Sequence, residues 1–331
     1  MLRRGVMRGV TWVFYVLAVS MVVGVTGCGN KQQTVELSKQ TLDKDTTWEG
    51  MVLVNGDIDV PPGVTLTVMP GTTVKFTRID EKSDQNMYSI DSPYYPGAEI
   101  IVRGRIIARG TADKTIVFTS AEIDARPADW GAINLLGSEG NVIEYCKILF
   151  GYNGVHGHGA SAAINYNEFA KNGIGVSCKK EEEDPSAPWF GKMSDMEITH
   201  NRFVNNKGGI GFRNSKAVVK HNLIQENKFF GIFPKDEVQA VISDNEITGN
   251  KKGVYLYQAQ GVKINRNNIY DNTDYNIAVA EAQDFDVDAR ENWFGTDDGQ
   301  KIDELIFDKK DDPTMGSVII EPVLKERVKW Q

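Results

Sequence analysis

Two histidines one residue apart, His156-Gly157-His158, are the side chains in this sequence best suited to move a proton, because imidazole titrates near neutral pH. Arg213 and Lys235 carry the charge to hold a carboxylate or sulfate, or to act as a base. Trp189, Phe233, Tyr255 and Tyr257 offer flat apolar rings on which a sugar can lie. Side chains alternate along a strand. Alternation therefore predicts one outward strip of pairs: His156/His158, Gly175/Ser177, Gly211/Arg213, Phe233/Lys235, Tyr255/Tyr257 and Ala278/Ala280. The segment Lys179 to Ser194, with Trp189, leaves this strip after Cys178 and is expected to overhang it.

Paired acids are what the strip lacks. Glycoside hydrolysis needs two suitably spaced carboxyl groups, and the nearby outward positions are Asn134, Gly175 and Ser177. Asp236 and Glu237 are adjacent and face apart if extended. Glu181-Glu182-Glu183-Asp184 reads as a solvated charge run. Asp297-Asp298 and Asp311-Asp312 read as turn acids, and Asp286 and Asp288 as solvent-facing on an extended stretch whose Phe285 and Val287 point inward. Ca²⁺ wants about six to eight oxygens, which none of these stretches supplies. No metal site is assigned and no cofactor is implied. Among catalytic candidates His156, His158, Arg213 and Lys235 are the weak ones available.

The elements that would position these residues repeat. Asn-x-(Phe/Ile)-x-x-Asn occurs five times, at Asn167/Asn172, Asn201/Asn206, Asn222/Asn227, Asn245/Asn250 and Asn267/Asn272. Three residues before each first Asn stands an apolar residue: Ile164, Ile198, Val219, Ile242 and Ile264. Beyond each second Asn lies a further apolar pair, such as Ile174/Val176, Ile210/Phe212, Val254/Leu256 and Ile277/Val279. Cys146 takes the Asn place in an upstream copy, and Asn292-Trp293-Phe294 ends the array. A period of ~22 residues fits three short strands and three turns, one coil of a parallel β-helix. The Asn residues are read as stacked structural ladders whose tight turns accept the left-handed backbone. Cys146 and Cys178 sit half a coil apart, too far for a disulfide, and are expected to be buried thiols.

These coils, with Trp130-Gly131-Ala132-Ile133 and Asn292-Trp293-Phe294-Gly295, resemble the right-handed parallel β-helix superfamily. That group includes pectate-lyase-like proteins and NosD-like periplasmic carbohydrate-binding and sugar-hydrolase modules. The resemblance spans residues 48–325 and implies an all-β fold: a single right-handed parallel β-helix with a capped C-terminus. Ile302 to Phe307 is expected as a cap helix and Val318 to Val323 as a closing strand. His156-Gly157-His158-Gly159 contains a Gly-His-Gly similar to a polygalacturonase motif. The Asn-Thr-Asp that accompanies it in that family is absent, so a glycine-rich turn is the expected reading.

The first 27 residues read as an address. Arg3, Arg4 and Arg8 precede an apolar run from Val10 to Val23 and then Val25-Thr26-Gly27-Cys28. A positive start, a short apolar core and small residues before a cut describe a secretory signal. The Cys after the small residues resembles the lipobox of bacterial lipoproteins, which implies lipidation of Cys28 and a cell-envelope location. Gly29 at the next position points to the outer membrane. Residues 28–47 are polar and read as a flexible tether, and 326–331 as a C-terminal tail.

Composition agrees with one solenoid. The 331 residues carry a net charge of −8, and removal of the three signal arginines leaves −11. That balance argues against a nucleic-acid partner, which selects a basic face. Of 23 Asn, 20 fall between Asn134 and Asn292, which places them at coil corners. The leading reading is a non-catalytic envelope scaffold that recognises polysaccharide on one sheet face. The alternatives are a polysaccharide lyase, hydrolase or epimerase on the same face, and an assembly or adhesion component that binds an envelope protein.

Overall fold

The computed structural model describes residues 34–329, apart from residues 81, 90, 93, 95, 96 and 281. Cys28, the signal segment and the start of the expected tether lie outside the described residues. The chain winds as a right-handed parallel β-helix. One ten-stranded sheet runs from Thr34–Leu37 to Asn268–Tyr270. Two further faces merge where Phe230–Ser243 and Lys252–Asn265 run unbroken through a corner. Pairing between successive coils is parallel throughout.

Each coil is closed by asparagine. The side-chain amide of Asn222 donates to Asn245 Oδ1 at 3.0 Å and to the Ile198 carbonyl at 2.8 Å, while its backbone N–H donates to the same Asn245 Oδ1. The pattern runs unbroken from Asn167 through Asn201, Asn222, Asn245 and Asn267 to Asn292. A second ladder runs from Asn172 through Asn206, Asn227 and Asn250 to Asn272. The left-handed residue is not the Asn, as expected from sequence, but its predecessor: His200, His221, Asp244 and Arg266 have φ of 54–58°. That bend frees the Asn to point inward, where one oxygen accepts two donors.

Inside, Ile164, Ile198, Val219, Ile242 and Ile264 are paired strand to strand and buried. Each such side chain contributes ~1.5–3 kcal/mol by leaving water. Phe169 stacks on Phe203 at 4.9 Å, and Trp130 on Phe76 at 4.2 Å. Trp130 also donates its indole N–H to the Leu149 carbonyl.

The boundaries differ from expectation at both ends. Thr34–Leu37, Gln40–Thr41 and Thr46–Trp48 already form the first coil, within the stretch read as tether. Leu42 and Trp48 of this coil join the buried core. The cap helix is Gly299–Glu304, started by Asp298 accepting the Gln300 N–H. Ile306–Phe307 instead adds a strand to the sheet. The closing strand is only Val318–Ile319, paired with the equally short Val287–Asp288. Within the expected tail, Val328 exchanges hydrogen bonds with Asn268, and Arg327 pairs with Glu246 at 2.6 Å.

Candidate functional site

The outward strip lies on the face built from Ile58–Val60, Ile100–Val102, Ile133–Leu136, Asn153–His158, Ile174–Lys179, Gly208–Arg213 and their successors. Its first column reads Asn134, His156, Ser177, Gly211, Phe233, Tyr255, Ala278 and Phe307. Its second reads Leu136, His158, Lys179, Arg213, Lys235 and Tyr257. The expected strip was two residues out at one coil. Ser177 is level with His156, not His158, and Lys179 joins Arg213. The cause is Ile174, which occupies a corner column with Gly208, Phe230, Lys252 and Tyr275. The inward pair of that coil is Val176/Cys178, and Gly175 packs against the Phe203 ring. Of the Gly-His-Gly, expected as a turn, Gly157 and His158 are strand, and Gly159, with φ of 58°, makes the bend that ends it. Gly157 points inward where a Cβ would sit 2.4 Å from the Met196 methyl.

The N-terminal half of this face is covered. The described residues between 78 and 97, together with residues 179–194, fold over it, and Tyr94, Ile101 and Leu136 form a small apolar cluster with Met87, Tyr88 and Trp189. His156 and His158, expected to face solvent, retain 4% and 0% exposure. Trp189, expected to present its ring to ligand, is spent on the cover. Its ring lies where any side chain at Gly137 would clash at 2.6 Å. Glu181 is not solvated but wholly buried. It accepts from His158 Nδ1 at 3.0 Å, Tyr94 O–H at 3.3 Å, the Trp189 indole N–H at 3.4 Å and the backbone N–H groups of Glu183 and Asp184.

The missing acids are also here. Asp57 and Glu99 are buried beside the start of the strip. Asp57 accepts the N–H groups of Met87 and Glu99, and Asn134 donates to Glu99 at 3.0 Å. Burial pushes the Asp57 carboxyl up to about 7. Burial, then the nearby Asp57 charge, holds Glu99 well above the carboxylate range. Sequence reasoning missed both because they precede the regular repeats by several coils. Asp59, on the same face, is paired with Arg103 at 2.7 Å.

The C-terminal half is open. Phe233 and Tyr255 stack at 4.7 Å. Lys235 lies over both Phe233 and Tyr257, and Lys252 over Tyr255, each within 5.3 Å of the ring centre. Arg213 is instead committed to Asp236 at 2.7 Å. Tyr255, Tyr257, Tyr275, Phe307 and Lys252 line a cleft of about 480 Å³, and Ala278, between Tyr255 and Phe307 in the first column, is fully buried beneath it. A polar cleft of about 570 Å³ lies between the 179–194 insert and the turn residues Asn214, Asp236 and Gln258. Among the described residues no group of three or more His, Cys, Asp and Glu is arranged to hold a metal ion. Cys146 and Cys178 are free and buried, and burial raises both thiols.

Two family models match the chain: the right handed beta helix region over residues 131–294 and the pectate-lyase like beta helix domain over residues 35–166. No curated protein matches it. Among solved structures it is similar to a variant of the periplasmic alginate epimerase AlgG, with 14% identity over 89% of this chain and 73% of that one, at a TM-score of 0.45. It is also similar to the A-module of the mannuronan C-5 epimerase AlgE6 of Azotobacter vinelandii, with 12% identity over 90% and 92% and a TM-score of 0.35.

Proposed function

For a chain that belongs to the right-handed parallel β-helix superfamily, we propose that the open half of the strip binds an anionic polysaccharide. The observation that carries this reading is the cleft of about 480 Å³ walled by Tyr255, Tyr257, Tyr275 and Phe307. Tyr275 packs on Phe307 at 5.1 Å and Ala278 beneath them is fully covered, so the cleft is floored by aromatic rings, the surface on which the apolar face of a sugar lies. Lys235 and Lys252 supply the charge: among the described residues neither pairs with a carboxylate. Their ammonium groups rest on aromatic rings, poised to meet a sugar carboxylate or sulfate.

The test is a glycan array carrying uronate-containing, sulfated and neutral polysaccharides, read with the purified soluble protein. Anionic glycans are expected to bind, with affinity falling as salt rises. Tyr255→Ala/Tyr257→Ala should weaken binding by ~10-fold or more, on the scale of ~1.4 kcal/mol per decade. Equal binding by the double variant would overturn the reading.

We further propose that Cys28 is the lipidated N-terminus of the mature protein and holds this face at an envelope membrane. Mass analysis should find a diacylglyceryl group on Cys28. A Cys28→Ser protein that stays membrane-bound would contradict it.

A further inference from the structure

Ser177, His156, His158 and Glu181 form one continuous side-chain chain. Ser177 Oγ contacts His156 Nδ1. His156 Nε2 meets His158 Nε2 at 2.8 Å, and His158 Nδ1 meets Glu181 Oε2 at 3.0 Å. An ionised Glu181 sets the direction of the bonds, because its oxygens then only accept: backbone N–H groups on one, the indole N–H and the Tyr94 hydroxyl on the other. His158 Nδ1 therefore donates to Glu181, and its Nε2 is left as acceptor. His156 Nε2–H must donate to that acceptor. His156 Nδ1 then holds a lone pair that faces the Ser177 hydroxyl. An acid that orients an imidazole, which in turn faces a hydroxyl, is the arrangement that activates a serine; here a second imidazole is interposed.

The serine end is where this chain reaches the surface. Ser177 keeps 8% exposure, against 0% for His158 and Glu181. The next position in its column is Gly211, where an added side chain would meet nothing closer than the Phe233 carbonyl oxygen at 3.9 Å. The column thus drops from imidazole to hydroxyl to no side chain, then rises to the Phe233 ring. The gap is a notch, with the hydroxyl as one wall.

We propose that Ser177 is the nucleophile of an acyl-transfer site, with His156 as its base and His158 and Glu181 as the orienting relay, and that it hydrolyses O-acyl esters on the polysaccharide bound along this face. The polysaccharide as carrier rests on the proposed function; the serine chemistry does not. Ser177 Oγ attacks the ester carbonyl carbon as its proton passes to His156 Nδ1. The carbon–oxygen bond to the sugar breaks, and the sugar alkoxide takes that proton. Water then attacks the acyl-serine, giving a proton to His156, and the carboxylic acid leaves as Ser177 Oγ is reprotonated. While His156 is charged, its Nε2–H stays on His158, whose Nδ1–H stays on the Glu181 carboxylate. Burial, then the Lys179 charge, pushes His158 down to about 3, and burial lowers His156 likewise, so both rings rest neutral as the first step requires.

The full soluble protein, incubated with a fluorophosphonate probe, should gain one phosphonyl group, located on Ser177 by peptide mass mapping. Ser177→Ala should abolish labelling in a protein that still folds, and His156→Gln should slow it by roughly 10²-fold, the usual worth of a general base. An unlabelled folded protein, or equal labelling of the Ser177→Ala variant, overturns the proposal. Acid release from an O-acetylated anionic polysaccharide tests the substrate: labelling without release removes the ester as substrate. Glycan binding by the Ser177→Ala variant reads the groove separately, so loss of one reading does not mimic loss of the other.

Discussion

From Asn134 to Ser177 and from Phe233 to Phe307 the same outward column crosses one sheet in one register. The first stretch is polar and covered except at Ser177, its groups hydrogen-bonded to one another and to a covering loop. The second is open and aromatic, with lysines on its rings. The sheet does not distinguish the two halves. What does is a pair of loops that leave the coils only beside the first half. A solenoid can thus keep a periodic scaffold and place a non-periodic interior on its outside. The comparison predicts that the covered half behaves as a core, sensitive to pH and to substitution, while the open half tolerates change in stability and shows it in binding.

The largest effect expected is on pH. Asp57 holds its proton more tightly folded, at about 7 against 3.8, so its contribution to stability is full below ~4 and is lost as pH rises through 7. The shift corresponds to up to ~4 kcal/mol, and Glu99 acts in the same sense. His156 and His158 act oppositely: their contribution is present above 6.5 and is lost as pH falls, for His158 through about 3. The Met87 N–H, which donates to Asp57, reports the first effect. Its exchange, corrected for intrinsic rate, should speed up between pH 5 and 8, and Asp57→Asn should flatten the profile. A flat profile in the unaltered protein would place the two halves on the same footing.

Next in size is removal of the cover. Trp189→Ala deletes the ring that fills the space above Gly137, and large-to-small changes at packed aromatics cost ~3 kcal/mol. The His158 pKa, followed by nuclear magnetic resonance, should rise from about 3 toward 6.5 as water enters. A melting temperature lowered without any change in the His158 titration would show that the cover is not what buries the histidines.

The ladders and the inward Ile and Val were legible because they recur at a fixed spacing, and repetition is what the eye can average. Val155, Ile210 and Ile232 had to point inward for the coil to close at all. The site was legible only in its residue types. His156 and Glu181 both stood out, but their depth depends on how the covering loops dock, and that is decided by single fits such as Trp189 over Gly137. No period announces such a fit. Ile174 misled for a related reason. Its corner column carries Gly208, Phe230, Lys252 and Tyr275, so an apolar residue there says nothing about the inside.

The smallest change in stability should come from the open half, and it separates the two ways its rings could matter. Tyr257 is 37% exposed and gives up mainly its contact with Lys235, worth ~0.5–1 kcal/mol at such a site. Tyr257→Ala should therefore move the melting temperature little. Lys252 is half-buried, with its ammonium over the Tyr255 ring, so Lys252→Gln should also leave stability within ~0.5 kcal/mol, as for most surface substitutions. Their effects on glycan affinity should differ. If the rings act as a general sticky surface, Tyr257→Ala is the worse of the two. If they present charge to an anionic glycan, Lys252→Gln should cost at least ~10-fold in affinity with every aromatic still in place.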